Sequence, residues 1–221
     1  MSEILEPTIE EQPGEKLSWG KVWISVLTRP SVATFERILR DPQASARRAY
    51  VWIFTSFLVG SLINILIINM MSSANTGYNT ITCGPVIQAV VAILSLALVT
   101  WMIQSIASRF FGGSGTYASM IYAFAAWAAP MYLVSSATSE IPYINICLTI
   151  PLAIYGIVLG VVAVKAVNKI GWGQAAASYI GVFILLIGVV AVITLCVLIT
   201  LGPSIGNVFQ NVIQNPGFTT P

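Results

Sequence analysis

Residues 109–130 read RFFGGSGTYASMIYAFAAWAAP, and the rest of the chain is arranged around them. A long apolar run stops at Arg109, a Gly-rich hinge of about six residues follows, and a second apolar run begins at Tyr117. Two membrane-length helices joined this tightly have to lie antiparallel and in contact. The glycines do not form a phosphate loop, because no GK[ST] follows and no strand precedes. Gly112, Gly113 and Gly115 instead supply positive φ angles and close chain approach. Pro130 frees a carbonyl one turn earlier, near Ala126, and bends its helix where neighbouring helices can cover the freed group. Arg109 sits where a helix C-terminus favours a cation. It is either part of a structural hinge or a contact for a partner or a lipid headgroup.

Working outward, further apolar runs appear on both sides. The 221 residues are 57% apolar and 8% charged, whereas soluble domains carry about 25% charged residues. Mean hydropathy is +0.85. Five spans are expected, at about 50–71, 86–108, 117–136, 143–164 and 176–201, each long enough for a hydrocarbon core of about 30 Å. The chain is therefore expected to be an all-α polytopic membrane protein. Asp41 and Pro42 look like the cap and first residue of the helix carrying the first span. Asn64 and Asn69 lie within the first span or near its far end and suit hydrogen bonds to neighbouring helices; Gln88 and Gln104 lie near the two ends of the second span. Gly156 and Gly160 share one face of the fourth span and allow a close helix approach.

Before the spans, residues 1–16 hold five Glu and read as a disordered acidic cytoplasmic tail. Residues 17–41 read as two short amphipathic helices, with Ser18 and Ser31 as caps. Val22, Trp23, Val26 and Leu27 make one apolar face; Phe35, Ile38 and Leu39 make the other. Each helix suits a membrane interface, with Trp19, Trp23 and Phe35 among headgroups and Arg37 and Arg40 on lipid phosphate. The same faces equally suit packing on the cytoplasmic end of a bundle. Residues 202–221, uncharged and with Gly and Pro, read as a loose tail.

Seven of the ten basic residues precede the first span. Arg109, Lys165 and Lys169 fall in the loops that a five-span count places on the same side. The N-terminus is accordingly cytoplasmic and the C-terminus outside. Cys83, Cys147 and Cys196 fall toward the outer side, where a Cys83–Cys147 disulfide is compatible with the compartment; buried unpaired thiols are the simpler reading.

Chemistry inside the membrane is sparse. The chain has no His, which excludes His-based metal sites and a Ser-His-Asp arrangement. No Asp, Glu or Arg occupies the middle of a span, where proton-coupled carriers and voltage sensors place them. No catalytic residue, metal ligand or cofactor is expected, and no nucleic-acid partner.

Three stretches resemble the Yip1 family of small integral membrane proteins: VLTRPSVATFERI before the spans, FFGGSGTYASMIYAFAAWAAP at the hinge, and YGIVLGVVAVKAVNKIGWGQAAASY at the fourth span, its basic loop and the fifth span. The likeness covers roughly residues 20–201 and implies a five-helix membrane domain with a cytoplasmic N-terminus. In eukaryotic relatives it implies vesicle traffic between endoplasmic reticulum and Golgi, with Rab-type GTPases as partners. This chain has RFFGG at 109–113 where those relatives have Asp-Leu-Tyr-Gly-Pro, and its tail is short; both departures fit a prokaryotic member. The leading expectation is a non-enzymatic scaffold that binds partner helices or itself, or organises the bilayer. The alternatives are a small-solute channel or carrier lined by the Pro130 helix, or an accessory subunit of a larger membrane complex.

Overall fold

The computed structural model describes residues 16–71, 84–139 and 142–214. All regular structure among them is helical: α1 (Trp19–Thr28), α2 (Val32–Leu39), α3 (Ala46–Met71), α4 (Gly84–Phe111), α5 (Tyr117–Thr138), α6 (Pro142–Asn168) and α7 (Trp172–Gln214). Five of these, α3 to α7, are long and apolar enough to cross a membrane. The acidic tail up to residue 15, the 72–83 loop with Cys83, Glu140 and the Asn69 side chain lie outside the described residues.

Residues up to Tyr179 form one compact unit, and α7 from Ile180 onward forms another. In the first unit α5 is the central element, packed against α1, α2, α3, α4 and α6. Its inner half, Met120 to Ala126, is buried without interruption. Small side chains make this possible, because Ala123, Ala125 and Ala126 let three neighbours approach at once. The 22 residues of α5 extend about 33 Å at ~1.5 Å per residue. Pro130 is buried within the same continuous helix. In the second unit, Ile184, Leu185, Ile187, Val189, Val190 and Ile193 are exposed and lie around all sides of the helix, the pattern of a surface meant for lipid or other helices.

Three local readings need correction. Asp41-Pro42 does not start α3. Asp41 Oδ1 accepts from the Gln43 N–H (2.9 Å) in a turn, and Ser45 accepts from the Arg48 N–H (3.3 Å) as α3 begins. An ion pair claims the other Asp41 oxygen, so the chain turns before it winds. Helix α7 continues to Gln214 instead of giving way to a loose tail at 202. Ile205, Val208, Phe209, Val212 and Ile213 recur at helical spacing, a signal masked by Gly202-Pro203. Cys147 and Cys196 are unpaired among the described residues and exposed rather than buried, and the Cys83–Cys147 pairing rests on a residue outside them.

Candidate functional site

The structure answers where the apolar faces of α1 and α2 go. Val22, Val26, Phe35 and Ile38 are fully buried, with α1 against α5, and α2 against α5 and α6. The two helices form a hairpin seated on protein. Ser31 caps α2 by accepting from the Thr34 N–H (3.1 Å), whereas the Ser18 side chain makes no cap bond. Phe35, expected among headgroups, is therefore a core residue with no surface to offer. Arg37 and Arg40 remain exposed. Trp19 is 41% exposed, with its ring 6.0 Å from that of Trp52; Trp23 also packs on Trp52, at 6.0 Å.

Both ends of the hairpin meet at one buried cation. Arg48 Nη1 pairs with Asp41 Oδ2 at 2.8 Å, and both side chains are at least nine-tenths buried. Arg48 Nη2 donates to the Leu17 carbonyl (2.7 Å), the Leu17 N–H donates to Asp41 (3.3 Å), and Arg48 Nη1 reaches the Tyr122 hydroxyl of α5 (3.5 Å). The guanidinium also lies 4.9 Å from the centre of the Trp52 ring, in range for a cation–π contact. A charge this deep is tolerated only when paired and bonded on several sides. At the hairpin tip, Tyr155 of α6 donates to the Leu27 carbonyl. Tyr155 precedes Asn168 by 13 residues, about 20 Å along α6. The hairpin thus runs from the level of Arg48 well down the flank of the membrane-crossing helices.

The α4–α5 hinge is locked to the end of α6. Gly112 adopts φ 67°, and the Gly113 N–H donates back to the Ala107 carbonyl (2.9 Å). A Cβ on Gly113 would lie 2.7 Å from Asn168 Oδ1, and one on Gly115 would lie 2.6 Å from Val167 Cγ1. Gln104 donates from Nε2 to the Gly115 carbonyl (2.6 Å) and to Asn168 Oδ1 (3.0 Å). The Ser114 N–H donates to the Asn168 carbonyl (3.3 Å). Thr116 then caps α5, accepting from the Ser119 N–H (3.2 Å). Arg109 stands exposed beside this knot, in the last turn of α4. The starts of α3 and α5 and the ends of α4 and α6 therefore share one end of the unit, and with them Arg47, Arg48, Arg109 and Lys165.

Gly156 and Gly160 face different partners, each an aromatic ring rather than one shared backbone. A Cβ on Gly156 would meet Trp127 of α5 at 3.4 Å, whereas one on Gly160 would collide with the Tyr179 ring. Local sequence gave no hint of Gly60, where a Cβ would lie 2.6 Å from Tyr132 and where Phe57 stacks on that ring at 3.6 Å. At the far end of α3 and α5, Asn64 donates to Ser139 (2.7 Å) and Ser61 bonds Gln88 (2.6 Å). These groups, with Tyr132 and Ser135, line an uncharged crevice of about 720 Å³.

Among the described residues no group of three His, Cys, Asp or Glu side chains gathers in a way that could hold a metal ion. No curated protein matches the chain, and no solved structure does. A family model described as the Yip1 domain matches residues 24–194. That match takes in the hairpin from Ile24 onward and the locked hinge, and the chain belongs to the Yip1 family.

Proposed function

We propose that this protein is a non-enzymatic membrane scaffold that presents a rigid apolar surface to another membrane helix. The observation that carries the reading is a seam on α4. Ile87, Val91, Leu94, Leu98 and Trp101 are all 53–63% exposed. Their spacing alternates four and three residues, the a/d repeat of left-handed helix packing. Lipid needs no such repeat, whereas a partner helix does. Behind the seam, Ala89, Ile103 and Ala107 of the same helix are buried, so the surface stands on a fixed support. The basic residues gathered at the hinge end support a cytoplasmic N-terminus and an outer C-terminus. The RFFGG stretch supports no Rab-type partner. The test is a mild-detergent pull-down of tagged full-length protein, read by mass spectrometry. A stoichiometric membrane partner, or a second copy, should be retained by the wild type and lost from L94W/L98W. A monomer without partner, or a partner indifferent to the seam, overturns the reading.

The uncharged crevice favours a second reading, a path for a small neutral solute. Its polar lining on α5 stops at Tyr132, short of the continuously buried Met120–Ala126 stretch, so a scaffold is the better supported. Solute flux in proteoliposomes above empty controls would reverse that order.

A further inference from the structure

A second surface, on the outward side of the α1–α2 hairpin, has different chemistry. A cavity of about 460 Å³ lies along it, lined by Lys21, Arg29 and Arg37 together with Ile24, Ser25 and Thr28. Neither the Arg29 nor the Arg37 side chain has a hydrogen bond or ion pair with any described residue. Both hydroxyls already donate to backbone carbonyls, Ser25 to Val22 (2.9 Å) and Thr28 to Ile24 (2.7 Å). The donors that Arg29 and Arg37 leave for a ligand are cationic, and they discriminate by charge. The carbonyl end of α1 opposes an anion, so only a strongly anionic group gains enough from these side chains. Guanidinium forks match phosphate oxygens in pairs. Ile24, 64% exposed, adds an apolar wall on the same cavity.

We propose that this cavity binds the phosphate of an anionic phospholipid, with Arg29 and Arg37 on the phosphate oxygens and Ile24 against the acyl chain. The position of the hairpin supports a lipid source. It packs on α5 and α6, two helices long and apolar enough to cross a membrane, so a bilayer lipid reaches the cavity laterally. This site is independent of the α4 seam.

The test uses full-length protein in mild detergent, titrated with short-chain phosphatidylglycerol or phosphatidylcholine and read by native mass spectrometry. Phosphatidylglycerol adducts should form where phosphatidylcholine adducts do not. R29Q and R37Q should each weaken them about fivefold, the size expected for one basic residue at an anionic surface, while R47Q, with its exposed cation outside the cavity, should leave them unchanged. Equal retention by wild type and R29Q/R37Q overturns the site, as does an equal loss in R47Q. Displacement of the lipid by equimolar inorganic phosphate overturns the lipid source. Binding that appears only after the five tail glutamates are changed to Gln assigns the cavity to the chain's own acidic tail and overturns the proposal. Melting curves of each variant matching the wild type keep misfolding from imitating any of these results.

Discussion

Replacing Asp41 by Asn should release the α1–α2 hairpin from its seat. The amide keeps an oxygen for the Gln43 N–H, bonded at 2.9 Å, so the turn itself survives. What goes is the countercharge 2.8 Å from Arg48, leaving a guanidinium in a site at least nine-tenths closed to solvent. Removing one member of a buried pair costs about 3–5 kcal/mol, or roughly two to three and a half powers of ten in the opening equilibrium, at about 1.4 kcal/mol per tenfold. Limited trypsin cleavage after Arg37 in detergent reads this, because cleavage follows the open population when reclosing is fast. The rate should rise at least a hundredfold in D41N. The apolar double variant D41L/R48M should recover most of the protection, since an apolar replacement of a whole buried pair is often neutral. A rise below about fivefold in D41N, or a double variant as open as D41N, would refute the view that this pair holds the hairpin closed.

Three further outcomes follow from the packing. Gly160→Ala should lower stability by about 1–3 kcal/mol through overpacking, because Tyr179 behind it is only 4% exposed; Gly156→Ala, with ordinary contact at 3.4 Å, should cost under about 1 kcal/mol, and thermal unfolding in one detergent compares the two. Gln104→Leu removes the donor held by Gly115 and Asn168 and should cost about 1–3 kcal/mol for the acceptors left behind, with faster hydrogen exchange at Gly113 and Ser114. Gly60→Val should be worse than either glycine-to-alanine change, because its side chain would enter the Phe57–Tyr132 stack; loss of monodisperse protein on size exclusion is the readout.

The spans were legible because each is a local property. Twenty apolar residues between hinges need no knowledge of the neighbours, and the Gly-rich hinge marks itself. The partners of those elements were not legible. Phe35 and Arg37 stand two residues apart on a short amphipathic helix and look alike as membrane-facing candidates, yet one is core and the other surface. What separates them is α6, more than a hundred residues later in the chain. Arg48 reads as a flanking positive charge until Tyr122, 74 residues away, closes over it. Gly60 looks like any glycine in an apolar run, because Tyr132 is visible only once α3 and α5 pack. Gly156 and Gly160 were visible as a pair, but the spacing is silent about the rings that fill them.

The hairpin's seat also sets an order of assembly. Val22, Val26, Phe35 and Ile38 are made first, but the helices that cover them are made late. Phe35 precedes Tyr155 by 120 residues, which at a synthesis rate of about 5–20 residues per second leaves those side chains uncovered for roughly 6–24 s. During that interval the nascent chain carries an apolar hairpin with nowhere to dock, alongside membrane helices already being inserted. Chains ending before α6 would keep the part of that exposure on α2 that α6 covers and present quality control with a ready signal. The completed protein hides the signal by closing its earliest segment onto one of its latest.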